Sequence, residues 1–213
     1  MIYKAIGVTS GGNPASITLS FTAFTVIGKQ WQFDIIAVEN QLYNEHWQHQ
    51  LQNVKDLSVE DYIQLHQHFG TYIGQLINNF IEQHALQHQV QLIACNGHNI
   101  INLPSKKICV QLGDGASIAT ITGLAVITDI GAMYLATGGE MANLYAKANL
   151  LMFAQLNTIV ESTTAQIPEQ HKEAVMTALL GVLRWREEAT VLPPVNGAKK
   201  GCIGGAIWLG SEA

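Results

Sequence analysis

The sequence predicts an α/β fold, a single lobe in which a mixed sheet opens with an antiparallel meander and is flanked by helices. Three observations point to it. Residues 2–9, 17–27 and 31–39 alternate or run apolar with β-branched and aromatic side chains, and short Gly, Asn or Pro turns separate them. Apolar residues then fall at steps of three and four through 58–86. Beyond that helix come three short apolar runs, each closing on a polar, glycine-containing loop.

Each element can be justified in turn. The first three runs read as consecutive antiparallel strands. "SVEDYIQLHQHFGTYIGQLINNFIEQHAL" puts Tyr62, Leu65, Phe69, Ile73, Leu76 and Phe80 on one face, and Ser58 with Asp61 forms a variant capping box, so one long amphipathic helix is expected. "VQLIACNGH", "KICVQLGDG" and "GLAVITDIG" read as buried strands with loops at their carboxyl ends, the edge where ligands sit in α/β sheets. Residues 141–160 and 170–188 read as helix, and a Gly- and Pro-rich tail follows. Three antiparallel strands, a helix, then further strands and helices is the order of one ribonuclease H-like, actin-like lobe. The expected division is a lobe over 1–140, with 141–213 packing back on it as part of one compact domain.

Composition bounds the function. The 213 residues are 48% hydrophobic and 13% charged, enough apolar content for a buried core. With a net charge of −5 and only 11 Lys and Arg, neither nucleic acid nor an anionic membrane is an expected partner. MIYKAIGV is too short an apolar run for a signal peptide and no run approaches a membrane span, so a cytoplasmic location is expected. Cys95, Cys109 and Cys202 are odd in number and far apart, which reads as buried free thiols rather than a disulfide framework or metal cluster. His84 and His88 stand at i, i+4 without a third ligand nearby. With His46, His49, His66 and His68 they read as a solvated Gln- and His-rich surface, and no metal site is expected.

"IGVTSGG", "LIACNGHNIINLP", "VQLGDGASIATITGLAVITDI", "LATGGEMANL" and "ALLGVLRWREEATVLPPVNGAKKGCIGGAIWL", taken in order, resemble the anhydro-N-acetylmuramic acid kinases, which recycle cell-wall sugar. The resemblance covers most of 1–150 and about 174–209. It implies an ATP- and magnesium-dependent sugar kinase of the actin-like fold, and three departures bear on that implication.

Family members open with a loop close to I-G-x-M-S-G-T-S-x-D-G-x-D that holds nucleotide phosphates and metal. Here Ser10, Gly11 and Gly12 are the remnant of that phosphate loop, of which Ser10 and Gly11 match the family, whereas Gly12, Asn13, Pro14, Ala15, Ser16 and Thr18 depart from it. Pro14 has no N–H to donate and Ala15 no carboxylate for hydrated magnesium. The family segment G-D-F-R-x-x-D-x-A-x-G-G presents the catalytic aspartate. Here "TDIGAMYLATGG" keeps Asp129, Ala136, Gly138 and Gly139, but Gly131 replaces the arginine and Tyr134 stands at the aspartate. A tyrosine, with a reference pKa of about 10, is no ready base, and losing a positioned base costs roughly 10²- to 10⁴-fold in rate. Asp129, five residues earlier, is a weak substitute.

Third, about thirty helical residues stand where the family has a second lobe, between "GGEMANL" and "ALLGVLRWREE". Phosphoryl transfer depends on positioning by both lobes. The expectation is therefore a non-catalytic remnant, with no catalytic residue and no cofactor, acting as a sugar-binding or protein-interaction module, for instance as a homodimer. The alternative is an active kinase completed by a separate chain, which would need ATP and magnesium and use Asp129 or Asp114 as base. The sugar-binding candidates are Asn96 and His98, in the loop matching the family's C-H-G-Q-T, with Asp114 and Glu140. Asp114 is also placed to cap the helix starting near Gly115. Trp185 is expected to pack against the lobe, with Arg184, Arg186, Glu187 and Glu188 solvated.

Overall fold

The computed structural model describes residues 1–10, 15–28, 30–153, 169–191, 193 and 198–212. Its central sheet has the strand order β3-β2-β1-β4-β7-β8, from β1 (Ile2–Thr9), β2 (Ser16–Ile27), β3 (Gln30–Leu42), β4 (Leu92–Asn96), β7 (Val126–Thr128) and β8 (Ala206–Trp208). The meander β1-β2-β3 is antiparallel, β1-β4-β7 is parallel, and β8 closes the far edge antiparallel to β7. This is the expected mixed sheet with flanking helices.

Strand periodicity divides the core into two layers. Ile6, Val8, Ile17, Leu19, Phe21, Ile93 and Cys95 face α2 (Val59–Gln83) and α3 (Gly115–Thr122). Ala5, Phe24, Leu92, Ala94 and Ile127 face α6 (Glu169–Trp185), α5 (Ala146–Phe153) and α4 (Ala132–Ala136). A bulge places Phe21 opposite Ala37 and Thr22 opposite Ile35, leaving Ile36 as the extra residue of β3. Face parity switches there, for Phe33 and Ile35 pack on the α6 layer and Ala37 on the α2 layer.

α2 starts as read: Ser58 Oγ accepts from the Asp61 N–H at 3.1 Å, and five of the six anticipated face residues are buried, Tyr62 partly. The α6 layer is built differently. A Cβ on Gly7 would lie 1.9 Å from the Ala174 carbonyl oxygen, and one on Gly181 2.4 Å from Ala94 Cβ, so the helix sits almost on the backbone of β1 and β4.

Several expectations need correction. "KICVQLGDG" is no central strand: β6 (Ile108–Leu112) pairs antiparallel with β5 (His98–Leu103) in a separate hairpin, because "GHNIINLP" is itself extended. α1 (Glu45–Asn53) lies in what read as solvated Gln/His surface; Trp47, Leu51 and Val54 at helical spacing bury its inner side, and Asn44 caps it. Cys95 is buried, but Cys109 and Cys202 are half-exposed, one on the hairpin and one in the tail. Trp185 is 39% exposed. Its neighbour Arg186 makes the contact instead, lying over the Tyr3 and Trp31 rings at 5.1 and 5.5 Å and pairing with Glu188 at 2.6 Å. Among the described residues no helix is long and apolar enough to cross a membrane.

Candidate functional site

The carboxyl ends of β1 and β4 lie side by side, with Thr9 paired to Asn96, and the candidate residues gather there. Ser10 continues β1 and is buried; its backbone N–H donates to the Asn96 carbonyl at 3.2 Å. Its hydroxyl is turned inward, hydrogen-bonded to the Tyr43 hydroxyl and 3.1 Å from His98 Nδ1. Burial pushes the Tyr43 phenol far up and holds the His98 imidazole below its ordinary value, the Ser10 backbone acting less strongly the other way on His98. Gly11 and Gly12, with Asn13 and Pro14, lie outside the described residues.

Asn96 is buried with both ends of its amide used. Its N–H₂ donates to the Tyr145 hydroxyl at 2.9 Å, and its Oδ1 accepts from Gln111 Nε2 at 2.6 Å. Tyr145 in turn bonds Thr177 Oγ1 of α6 at 3.0 Å, and burial raises its phenol. Gln111 also reaches Asn99 Oδ1 at 2.9 Å, tying the hairpin to the sheet edge. Gly97 allows the hairpin to leave the sheet, for a Cβ there would stand 1.9 Å from the Leu112 carbonyl oxygen.

Tyr134 is fully buried in the α6 layer. Gly139 lies against its ring, where a Cβ would approach to 2.0 Å. At Gly131 a Cβ would fall 2.6 Å from Met141 Sδ, so an arginine there would have to displace that side chain. Asp129 differs: it is exposed just beyond β7, held at φ 53°, and its Oδ2 accepts from Thr128 Oγ1 at 3.0 Å. Behind it the Cys95 thiol is pushed up to about 12, by burial first and the Asp129 charge second.

Asp114 caps α3. Its Oδ2 accepts from the Ser117 N–H at 2.8 Å and from the Ser117 hydroxyl at 2.5 Å. His66 braces the same turn, its Nδ1 accepting from the Gly113 N–H at 3.2 Å and its Nε2 lying 3.9 Å from Asp114 Oδ1, so His66 is no plain solvated residue. Glu140 is exposed; its backbone carbonyl accepts from Asn143 at 2.8 Å, and its carboxylate has no hydrogen bond or ion pair among the described residues.

Next to His98 an open pocket of about 350 Å³ lies between α1 and β5, lined by Gln48, Leu51, Gln52, Val54, Lys55, His98, Asn99, Ile100 and Ala15. The structure thus brings Ser10, Asn96 and His98 together and leaves Asp114 on a helix cap and Glu140 without a side-chain partner among the described residues. Sequence reasoning missed Tyr43 and Tyr145, which complete the network, and Lys55 at the pocket. Tyr43 ends a strand run and Tyr145 opens a helix, positions where a polar aromatic often anchors a buried hydrogen bond; for Lys55 there was no signal. Among the described residues no group of three or more His, Cys, Asp and Glu is arranged to hold a metal ion.

The family model described as anhydro-N-acetylmuramic acid kinase matches residues 5–161. The proteins of that name from Brucella suis (strain ATCC 23445 / NCTC 10510), Pseudoalteromonas translucida and Crocosphaera subtropica are similar to this chain. The first is 32% identical over 81 residues, covering 38% of this chain and 22% of the relative. The others are 23% identical over 161 residues and 24% over 156, each covering 70% of this chain and 40% of the relative. The chain therefore spans 40% or less of the length of these relatives. The family match ends at 161, so the stretch 174–209 lies beyond it.

Proposed function

The chain belongs to the anhydro-N-acetylmuramic acid kinase family, and we propose that within it this chain is a non-catalytic module that binds a sugar or a protein instead of transferring phosphate. The observation that carries this reading is Tyr134. At the position where the resemblance puts the catalytic aspartate stands a phenol sealed in the core beneath Gly139, out of reach of a sugar hydroxyl.

Two further observations support it. Ser10, the described part of the phosphate loop, spends its hydroxyl on Tyr43 and His98. Residues 154–168, only 15 positions, separate α5 from α6, far short of the roughly 50 residues of a small domain, and α6 already lies against the sheet. The described donor set therefore does not suit a magnesium nucleotide. What it retains is a polar, sugar-sized pocket lined by His98. For the interaction arm of the reading, the partner would be a second copy or a separate kinase chain. The edge strand β3, with Ile36 and Leu42 exposed, offers it a side that no strand among the described residues pairs with.

The test is to incubate the full chain with 1,6-anhydro-N-acetylmuramic acid, ATP and magnesium and to follow phosphorylated sugar. None is expected, and ATP with magnesium should leave the melting temperature unmoved, while the sugar alone raises it. One observation favours a second reading, an active kinase completed by another chain: Asp129 exposes a carboxylate at the carboxyl end of β7. Turnover abolished by Asp129→Asn would establish that reading and sink the first.

A further inference from the structure

We propose that the turn at Gly138 carries a docking surface for an acidic segment of a partner protein, held by Lys106 and Lys107 of the β5–β6 hairpin and by Lys199 and Lys200 of the carboxyl-terminal tail. This rests on the reading of the chain as an interaction module, names the chemistry of the partner, and places it on a surface other than the β3 edge.

The lysines come from two segments far apart in the sequence that meet at one turn. β6 adjoins α4, and the Lys199 N–H donates to the Thr137 carbonyl at 2.9 Å, which pins the tail to the end of α4. The point where a Cβ of Gly138 would stand is 3.8 Å from both Lys107 Nζ and Lys199 Cγ, so no more than twice that distance separates the two groups. Lys106 and Lys200 are their chain neighbours, and all four side chains are exposed. Four of the 11 Lys and Arg therefore gather in one place on a chain with 16 Asp and Glu, yet none of the four forms an ion pair among the described residues. Glu140, the acid beside the turn, does not neutralise them, for it too forms no ion pair among the described residues. Ammonium groups brought together repel one another, and a carboxylate supplied from outside relieves that repulsion.

The neighbourhood favours a polypeptide over other polyanions. Leu103 and Ile108, paired directly across the hairpin next to Lys106 and Lys107, are exposed. So is Met133, whose carbonyl accepts from the Thr137 N–H at 3.0 Å just before the turn. An acidic segment with interspersed apolar side chains uses both kinds of group, whereas a phosphate backbone uses only the charge. The cluster also holds no arginine, the residue whose planar fork suits phosphate. Finally, the net charge of −5 opposes a long polynucleotide as a whole, while a short segment meets only the local field, screened beyond about 8–10 Å.

The inference is tested by titrating three probes into the isotopically labelled full chain while backbone amide resonances are followed: a synthetic peptide alternating Glu with Leu, the same peptide with Gln for Glu, and an oligothymidylate matched to the first in charge. The Glu peptide should shift amides in 106–108, 137–140 and 199–201, with the other two much weaker. Lys107→Gln combined with Lys199→Gln should lower the affinity for the Glu peptide about tenfold or more, and Lys107→Arg with Lys199→Arg should keep it. Added salt should weaken binding to the parent chain more than to the Gln variant. The proposal is overturned if the Gln peptide binds as tightly, if the oligothymidylate binds these residues as tightly or more so, if the Gln variant binds the Glu peptide unchanged, or if no probe shifts these amides. Phosphorylation of the sugar by the full chain would instead overturn the non-catalytic reading while leaving this surface standing.

Discussion

Two neighbouring regions at the carboxyl edge of the sheet treat their polar groups in opposite ways. Around β1, β4 and α4, three polar residues at or near family site positions are turned into the protein, Ser10 onto Tyr43, Asn96 onto Tyr145 and Gln111, and Tyr134 under Gly139, while Asp129 stays exposed. Between α1 and β5, Gln52, Lys55, His98 and Asn99 line an open pocket. A buried polar group stabilises only when its partners are complete; the first region meets its polar needs internally, whereas the second leaves polar side chains along an open pocket. His98 is where the two regions join, with Nδ1 near Ser10 and its ring at the pocket.

The severest way to break this contrast is to restore the family residue. Tyr134→Asp would place a carboxylate in a fully buried position and leave a cavity where the ring lay. The expected cost is about 3 kcal/mol or more, read as a large fall in the urea midpoint. If the variant melted like the parent and gained phosphorylation, Tyr134 would occupy an accessible site position and the closed description of this region would be wrong.

Next in size is the seating of α6, which brings Thr177 to Tyr145 and so completes the Asn96 network. Gly7→Ala drives a methyl into backbone, 1.9 Å from the Ala174 oxygen and 2.8 Å from the Ala178 nitrogen, neither of which can rotate away. Overpacking of this kind typically costs about 1–3 kcal/mol, and the closed region should loosen with it. Faster amide exchange at Asn96 and Tyr145, with 48–55 unchanged, would be the sign. Uniform exchange across both regions would merge them into one cooperative unit.

Much of this architecture was legible in the sequence because it rests on period. β1 and β2 are long runs buried almost continuously, α2 repeats its burial at helical spacing, and Ser58 marks the start of α2. β5 escaped because its burial pattern has a single buried residue, Ile100, and its partner β6 lies a hairpin away from the central sheet. α1 escaped because its Gln- and His-rich outer face hides an inner side on which only Trp47 and Leu51 are buried, with Val54 just beyond its end. Motif position singled out Ser10, Asn96 and His98, which lie together at the sheet edge, but side-chain direction is set by the partner. Nothing in "IGVTSGG" says that Tyr43, 33 residues on, takes the Ser10 hydroxyl.

Asp114 sharpens the contrast at a smaller scale, since Oδ2 of the residue read as a possible sugar contact accepts from Ser117. Asp114→Ala should cost about 1 kcal/mol, the loss of a helix cap, and should leave the binding of any sugar to the chain unchanged. A weakened sugar affinity without loss of stability would move Asp114 to the open region.

The smallest effect is expected at the junction and is visible only as a function of pH. Burial holds the His98 imidazole below its ordinary value of 6.5, with the Ser10 backbone opposing less strongly. As pH falls below that value the unfolded chain takes up a proton that the folded chain resists, so the unfolded state gains and stability declines; above it both forms are neutral and nothing changes. His171 is displaced in the same direction by its own burial and contributes alike in parent and variant. The informative quantity is therefore the difference between the parent and His98→Gln, from urea midpoints measured at about pH 7.5 and about pH 5. The variant should lose less stability on acidification. Equal losses would mean that His98 is charged in the folded protein, which would make it a second cation of the open pocket instead of a neutral member of the closed network.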